Sequence, residues 1–240
     1  MEIFAHRGFS SKYPENTLIA FKKALEYPID GIELDVHETK DGQVIVIHDE
    51  TVDRTTSGSG NVRNMTLKEI QELDAGSYIS PLFSGERIPL LEEVLELIGD
   101  RQIKINIELK TDVNPYYGME LKVLALIKKY KIESNVLISS FDHETLLRFK
   151  ALAPEIEIAP LFSNIIVNPW EYTQQLGAEY MHISGYNMMR PSAIEAKKKG
   201  AKIRVYTINL QEHMNMLKSA NVEGIFTDDV AAAIEWKRTK

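Results

Sequence analysis

The segment Gly31-Ile32-Glu33-Leu34-Asp35-Val36-His37 alternates in character, so an extended chain presents Glu33, Asp35 and His37 on one face and Ile32, Leu34 and Val36 on the other. Two carboxylates on one buried face repel each other and are costly to desolvate unless a cation neutralises them. The segment Lys104-Ile105-Asn106-Ile107-Glu108-Leu109-Lys110 repeats the device, with Asn106, Glu108 and Lys110 on a single face. Glu33, Asp35 and Glu108 converging from adjacent strands make an all-oxygen ligand set. Such a set suits one hard divalent cation, Mg²⁺ or Ca²⁺, and not zinc or copper. The competing reading is two buried ion pairs, Glu33 with Lys104 and Glu108 with Lys110. It supplies one base per acid but does not explain two acids at successive inward positions.

His6 closes an apolar run and is followed by Arg7 and Gly8, while His48 ends a second run. Between the runs that carry Asp35 and His48, Lys40-Asp41-Gly42-Gln43 leaves no room for a crossover helix, and Asp-Gly signals a tight hairpin. With Asp41-Gly42 as a two-residue loop, Lys40 pairs with Gln43 and His48 falls across from Asp35. A slip of one or two positions sets it opposite Leu34 or Glu33 instead. In every case His48 returns to the carboxylates. Two imidazoles beside a metal site can accept a proton on one side of a reaction centre and donate one on the other. Arg7 and Lys110 add fixed positive charge for an anionic group, with Arg suited to bidentate phosphate contact. The whole inventory is what phosphoester cleavage requires. Glycoside hydrolysis employs two of the acids and leaves Arg7, Lys110 and both histidines without a part. Nucleotide phosphoryl transfer is disfavoured, because no Gly-rich phosphate loop follows a strand.

Positioning these groups calls for strands near 2–6, 31–37, 43–48, 104–110, 135–140, 157–162, 180–184, 202–207 and 224–227. Helical spacing falls between most of them, as in 17–27, 90–98, 120–130, 143–152, 170–176, 190–199 and 210–220. With the hairpin arm set aside, eight strands are left to run parallel, and the chain has the usual size of a (β/α)8 TIM barrel, an α/β fold whose sites lie at the C-terminal strand ends. Residues from about 49 to 88 carry Thr55-Thr56-Ser57-Gly58-Ser59-Gly60 and no strand period, and read as a small insertion on the rim after the third strand, with one short helix within 65–73. No internal repeat or linker divides the chain, so 1–240 reads as a single domain.

Composition narrows the partners. The 240 residues hold 28 Lys plus Arg against 35 Asp plus Glu, a net charge of -7 that argues against binding nucleic acid by phosphate neutralisation. A small-molecule substrate is the expectation. Zero cysteines exclude zinc-thiolate and iron–sulfur sites and any thiol nucleophile. No apolar run approaches a membrane span and no signal segment opens the chain, so a cytoplasmic protein is expected, its oligomeric state left open.

The ordered set His6-Arg7-Gly8, Pro14-Glu15-Asn16-Thr17, Glu33-Leu34-Asp35-Val36, His48-Asp49, 53–60, Ile88-Pro89-Leu90-Leu91, Asn106 to Lys110, Ser139-Ser140-Phe141 and Thr227-Asp228 resembles the glycerophosphodiester phosphodiesterase family over nearly the whole chain. The resemblance implies a barrel enzyme that hydrolyses glycerophosphodiesters, such as glycerophosphocholine and glycerophosphoethanolamine, to sn-glycerol 3-phosphate and an alcohol with Mg²⁺ or Ca²⁺. By residue, it implies that Glu33, Asp35 and Glu108 hold the metal, that His6 and His48 are the acid/base pair, and that Arg7 and Lys110 hold the phosphate. Asn16 precedes a helical run and either belongs to its cap or orients a group at the site. Tyr206, where relatives often carry Trp, either walls the glycerol pocket or packs the barrel. His37, His143, His182 and His213 match no family role and read as structural or exposed. Two rival functions stay open: a related barrel phosphodiesterase acting on lysophospholipids or phosphoinositides, which needs an apolar rim such as Tyr78 to Phe83, and a catalytically silent binding barrel.

Overall fold

The structure, a computed structural model, describes residues 1–239. Its strands are β1 (Glu2–His6), β2 (Gly31–Glu38), β3 (Val44–Val46), β4 (Lys104–Leu109), β5 (Val136–Ser140), β6 (Glu157–Phe162), β7 (Tyr180–Ser184), β8 (Lys202–Tyr206) and β9 (Gly224–Thr227). Its helices are α1 (Leu18–Ala24), α2 (Leu67–Gln71), α3 (Leu91–Ile98), α4 (Met119–Tyr130), α5 (His143–Leu152), α6 (Pro169–Gln175), α7 (Gly185–Met188), α8 (Pro191–Lys198), α9 (Gln211–Ser219) and α10 (Val230–Arg238). The strands follow the spatial order β1-β9-β8-β7-β6-β5-β4-β2, and the β1–β2 pairing closes the ring into the parallel eight-stranded TIM barrel that the βα alternation predicts. β3 is the extra arm, antiparallel to β2.

The sequence reads onto these elements with two helices unanticipated, α7 and α10. Short apolar or alternating runs make the strands, with the polar positions Glu33, Asp35 and His37 of β2 and Lys104, Asn106 and Glu108 of β4 falling on one face of each. The outward faces of the strands and the inward stripes of the helices form one core that includes Ile32, Leu34, Val36, Ile105, Ile107, Val123 and Phe149. The ring interior is filled by Phe4, Leu137, Ala159 and Phe226, with Tyr180 and Tyr206 against them. At the end where the strands begin, fully buried Arg204 bonds Glu2 at 3.0 Å and Glu157 at 2.6 Å and lies 3.8 Å over the Tyr180 ring.

One expectation is corrected. The β2–β3 hairpin closes with three residues, Lys40-Asp41-Gly42, and Thr39 donates its backbone N–H to the Gln43 carbonyl at 2.9 Å. Asp41 accepts from the Thr39 hydroxyl and from the Leu67 amide, the Thr39 hydroxyl accepts from the Gln43 amide, and Gly42 takes φ +80. A left-handed glycine completing a bulged turn is a three-residue solution that an Asp-Gly pair serves as well as a two-residue one. The register becomes His37 opposite Ile45 and Val36 opposite Val46, which sets His48 at the level of Leu34, one position from the two-residue expectation.

The insertion is anchored from below. Ile45 and Ile47, on and just past the arm, bury themselves with Val52, Val62, Ile70, Ala75 and Ile88 in a small second core. The capping box of Thr66 and Glu69 starts α2 within this segment.

Candidate active site

The register of β2 and β4 brings the acids together. Glu33 lies beside Asn106 and Asp35 beside Glu108, all facing into the C-terminal mouth of the barrel. Carboxylate oxygens of Glu33, Asp35 and Glu108 lie within 4.8 Å of one another, and all three residues are buried. Burial, then the charges of Asp35 and Glu108, push Glu33 well above its ordinary value. Burial and Asp35 likewise raise Glu108 to about 7 against the pull of Lys110. For Asp35 burial acts upward too, but Arg7, His48, Lys110 and the hydrogen bond from Asn16 outweigh it and hold this carboxyl at about 2. Three buried acids of which two resist ionisation form a site short of positive charge. The side-chain amide oxygen of Asn106, buried and without a hydrogen-bond partner among the described residues, adds a neutral oxygen beside them. This all-oxygen donor set fits a hard divalent cation.

β1 and β3 share one edge of β2. β1 pairs with its first half and ends where His6 meets Glu33, the Arg7 amide donates to the Glu33 carbonyl at 3.1 Å, and the Ile47 amide then takes up the Asp35 carbonyl at 3.0 Å. His6 and His48 are therefore delivered to the same rim, one from each element. The arm ends at Val46 and the chain bends after it, which turns His48 inward although Leu34, at its level, faces outward. His37, expected to be structural, is fully buried and bonds the His48 carbonyl at 3.1 Å and the Tyr116 hydroxyl at 3.0 Å, so it fixes that bend.

Each imidazole is held at Nδ1 by a carboxylate, His6 by Asp228 at 2.7 Å and His48 by Asp49 at 2.6 Å. In both cases Nε2 is left for the hollow. Asp228 itself accepts from Asn209 at 2.7 Å and from Ser10 at 3.0 Å. Burial, then the Arg7 and Lys110 charges, lower His48 from its ordinary value, partly offset by Asp35 and Asp49. Lys110 donates to Glu108 at 3.0 Å, and its ammonium lies 3.4 Å from His48 Nε2. The Arg7 backbone amide donates to Glu33 at 2.9 Å and its guanidinium to Glu15 at 2.9 Å, with Nε 3.3 Å from Asp35 but out of hydrogen-bond alignment. Arg7 takes φ +56, and Gly8 follows at φ +83 where a Cβ would stand 2.7 Å from the Ala20 carbonyl carbon, so the turn after His6 admits only glycine there.

Arg54 joins the two sides. It donates to Glu15 through both terminal nitrogens at 2.8 Å and to Asp49 at 2.7 Å, so an unbroken run of alternating charge leads from Arg7 through Glu15, Arg54 and Asp49 to His48. Reading of the sequence missed Asp49, Arg54, Glu15 and Asp228 as individual participants. The signals were the adjacent His48-Asp49 and the Thr227-Asp228 pair, but nothing local links Asp228 to a histidine 222 positions away.

The remaining expected residues are placed as follows. Asn16 is buried at φ +57 and donates to Asp35 at 2.9 Å, while Thr17, not Asn16, caps α1. Tyr206 both walls the site and donates to the Phe162 carbonyl at 3.0 Å. Lys104 is not near Glu33 but bonds Glu2 at 2.7 Å at the far end of the barrel, which removes one of the two alternative ion pairs. The hollow between these groups holds about 120 Å³, with Phe141, Leu161 and Phe226 as its apolar wall and the buried His182 at its floor. A hollow of about 300 Å³ at the opposite strand ends, edged by Lys104, Glu133, Lys150, Glu155 and Glu157, contains no histidine.

Residues 6–232 match the model of the glycerophosphoryl diester phosphodiesterase family. The chain belongs to that family. It is accordingly an enzyme, a hydrolase of phosphoric diesters. It is 46% identical over 237 residues to a glycerophosphodiester phosphodiesterase of Caldanaerobacter subterraneus, covering 98% of this chain and 97% of that one. Among solved structures it resembles an Oleispira antarctica phosphodiesterase in complex with the product sn-glycerol-3-phosphate, at 29% identity and TM-score 0.90 over 100% of this chain and 97% of that one. A glycerophosphodiester phosphodiesterase of Agrobacterium tumefaciens is 34% identical with TM-score 0.82, covering 97% of this chain and 99% of that one. Among the described residues no helix is long and apolar enough to cross a membrane.

Proposed function

We propose that the chain hydrolyses glycerophosphodiesters such as glycerophosphocholine and glycerophosphoethanolamine to sn-glycerol 3-phosphate and an alcohol, as a single catalytic domain that uses one divalent cation, Mg²⁺ or Ca²⁺. The observation that carries this reading is the pair of carboxylate-anchored imidazoles flanking a buried three-carboxylate cluster. Glu33, Asp35 and Glu108 hold the cation, which when bound supplies positive charge to the phosphoryl oxygens.

Arg7 and Lys110 meet the phosphate with charges that stay on at neutral pH, since the acids around each raise its affinity for protons despite burial. His48 takes the proton of the attacking oxygen. An ammonium only donates, so the Lys110 nitrogen facing His48 Nε2 favours a lone pair on that atom, with the ring proton on Nδ1 toward Asp49. His6 gives a proton to the departing alkoxide, and Asp228 at its Nδ1 steadies the positive ring that can do so. The net reaction adds one water across the P–O bond, its hydrogen ending on the alcohol.

The test is glycerol 3-phosphate release from the two diesters, in EDTA, after return of Mg²⁺ or Ca²⁺, and in His48→Ala. Release that EDTA abolishes, one ion restores and the variant lacks supports the assignment. Full release in EDTA refutes the metal role, and normal release by His48→Ala refutes the histidine role.

A further inference from the structure

His182, on β7, is fully buried and forms part of the floor of the catalytic hollow, where no proton transfer assigned above employs it. The register of β7 and β8 pairs it with Arg204, whose Nη1 lies 3.4 Å from His182 Nε2. A guanidinium has hydrogens to give and none to take, so Nε2 is the acceptor of that contact. Burial first, and the Arg204 charge second, push the imidazole well below its ordinary value, so the ring is neutral and carries a single proton. That proton is then on Nδ1, and Nδ1 has no hydrogen-bond partner among the described residues. The two nitrogens of an imidazole point in widely different directions. With Nε2 turned toward Arg204, at the end where the strands begin, Nδ1 is left for the hollow on the other side. Around it Phe141, Leu161 and Phe226 are apolar, and the Tyr206 hydroxyl is taken up by the Phe162 carbonyl. A buried N–H without an acceptor is costly, and a ligand oxygen removes that cost.

We infer that His182 donates from Nδ1 to the terminal hydroxyl of the substrate's glycerol portion, and so selects diesters in which that hydroxyl is present. The inference rests on the proposed hydrolysis of glycerophosphodiesters, because a phosphate held by Arg7 and Lys110 at the rim fixes which part of the substrate reaches the floor. Choline and ethanolamine offer no oxygen beyond the ester bond, so of the two alcohol portions only glycerol can satisfy Nδ1. Its terminal hydroxyl is the glycerol oxygen furthest from phosphorus, as the floor is the part of the hollow furthest from the rim. A site that hydrogen-bonds a hydroxyl rejects the analogue that lacks it, since its own donor is then left buried and unpaired. The neutral ring matters here, because it places one donor and no charge against an uncharged alcohol.

The experiment measures choline release from glycerophosphocholine and from 2-hydroxypropyl phosphocholine, which lacks only the terminal hydroxyl, in the cation-loaded native enzyme, in His182→Gln and in His182→Asn. The amide nitrogen of Asn reaches the place of Nδ1, whereas that of Gln reaches toward the place of Nε2. Native kcat/KM should favour glycerophosphocholine about tenfold, the worth of one neutral hydrogen bond. His182→Gln should remove the preference, and His182→Asn should keep most of it. A second readout needs no variant and so decides the matter even where a substitution unfolds the barrel. In isotope-labelled native protein the His182 ring should carry its proton on Nδ1, and that N–H resonance should move when sn-glycerol 3-phosphate is added but not when inorganic phosphate is. Equal turnover of the two diesters by the native enzyme, a preference undiminished in His182→Gln, or a ring proton on Nε2 overturns the inference while leaving glycerophosphodiester hydrolysis standing. Absence of turnover on both diesters overturns the hydrolytic reading itself.

Discussion

Replacing Glu108 by Gln tests whether the acid cluster is held in tension without its cation. The carboxyl's ordinary value is 4.5 and here it is raised to about 7, by burial first and by Asp35 second. A carboxyl whose folded value lies above its unfolded one holds its proton more tightly when folded. Its share of stability is therefore lost as pH climbs from 4.5 toward 7, and the loss is complete above that, at about 3 kcal/mol. Glu108→Gln has the same shape, still accepts from Lys110 and has no proton to lose. In chelator, native and variant proteins should melt together near pH 5, and the variant should melt about 6–12 °C higher at pH 8 for a chain of this size. Excess Mg²⁺ or Ca²⁺ should close or reverse the gap, because native protein gains about 2.7 kcal/mol at a hundredfold excess over the dissociation constant. Groups outside the cluster titrate alike in both proteins and cancel, while Glu33, relieved of the Glu108 charge in the variant, shifts in the direction that widens the gap at pH 8. A variant that is equally or less stable than native protein at pH 8 in chelator would refute the account of the cluster as a site lacking charge.

Three other outcomes follow from the geometry. Asp228→Asn removes the charge that holds His6 and should lower kcat about 10–100-fold with little change in KM; steady-state kinetics showing less than threefold loss would remove Asp228 from the proton-transfer pair. His48 sits below its ordinary value of 6.5 and must be neutral to accept a proton, so the acid limb of the kcat/KM profile should have its midpoint below 6.5, and a midpoint above it assigns the acceptor elsewhere. Arg204→Met leaves Glu2 and Glu157 without their buried cation and should cost about 3–5 kcal/mol in chemical denaturation; a loss under about 1 kcal/mol would show that the buried ion pairs contribute little.

The parts of the site that were legible in sequence are those governed by a short period. Alternation along β2 and β4 set Glu33, Asp35 and Glu108 on facing positions because a pleated strand allows no other distribution. The hairpin after β2 was legible as a hairpin but not in its register, since Asp41 and Thr39 close a three-residue loop by side-chain bonds that alternation does not encode. His48 ends up inward through a bend braced by His37, which a pattern of apolar and polar residues cannot distinguish from a strand continuing outward. Asp228 and Arg54 were out of reach for a different reason. Their partners, His6 and Glu15, become neighbours only when the barrel closes and the insertion folds over its mouth. The exposed apolar residues of the loops after β6, β7 and β8, Val167, Tyr186 and Leu210, follow no period that marks them in the sequence.

The order of strands around the barrel divides labour along the gene. His6, Arg7, Glu33, Asp35, His48, Glu108 and Lys110 all precede residue 111, and from the later half of the chain Phe141, Leu161 and Tyr206 contribute shape, with Asp228, among the described residues, the one charged group that reaches back to His6 or His48. A diversified library confined to the loops after β6, β7 and β8 therefore explores which molecule is accepted while the proposed reactive groups stay as they are. Recombination between relatives near residue 111 should exchange preference without exchanging chemistry, provided that Asp228 travels with a partner able to meet His6.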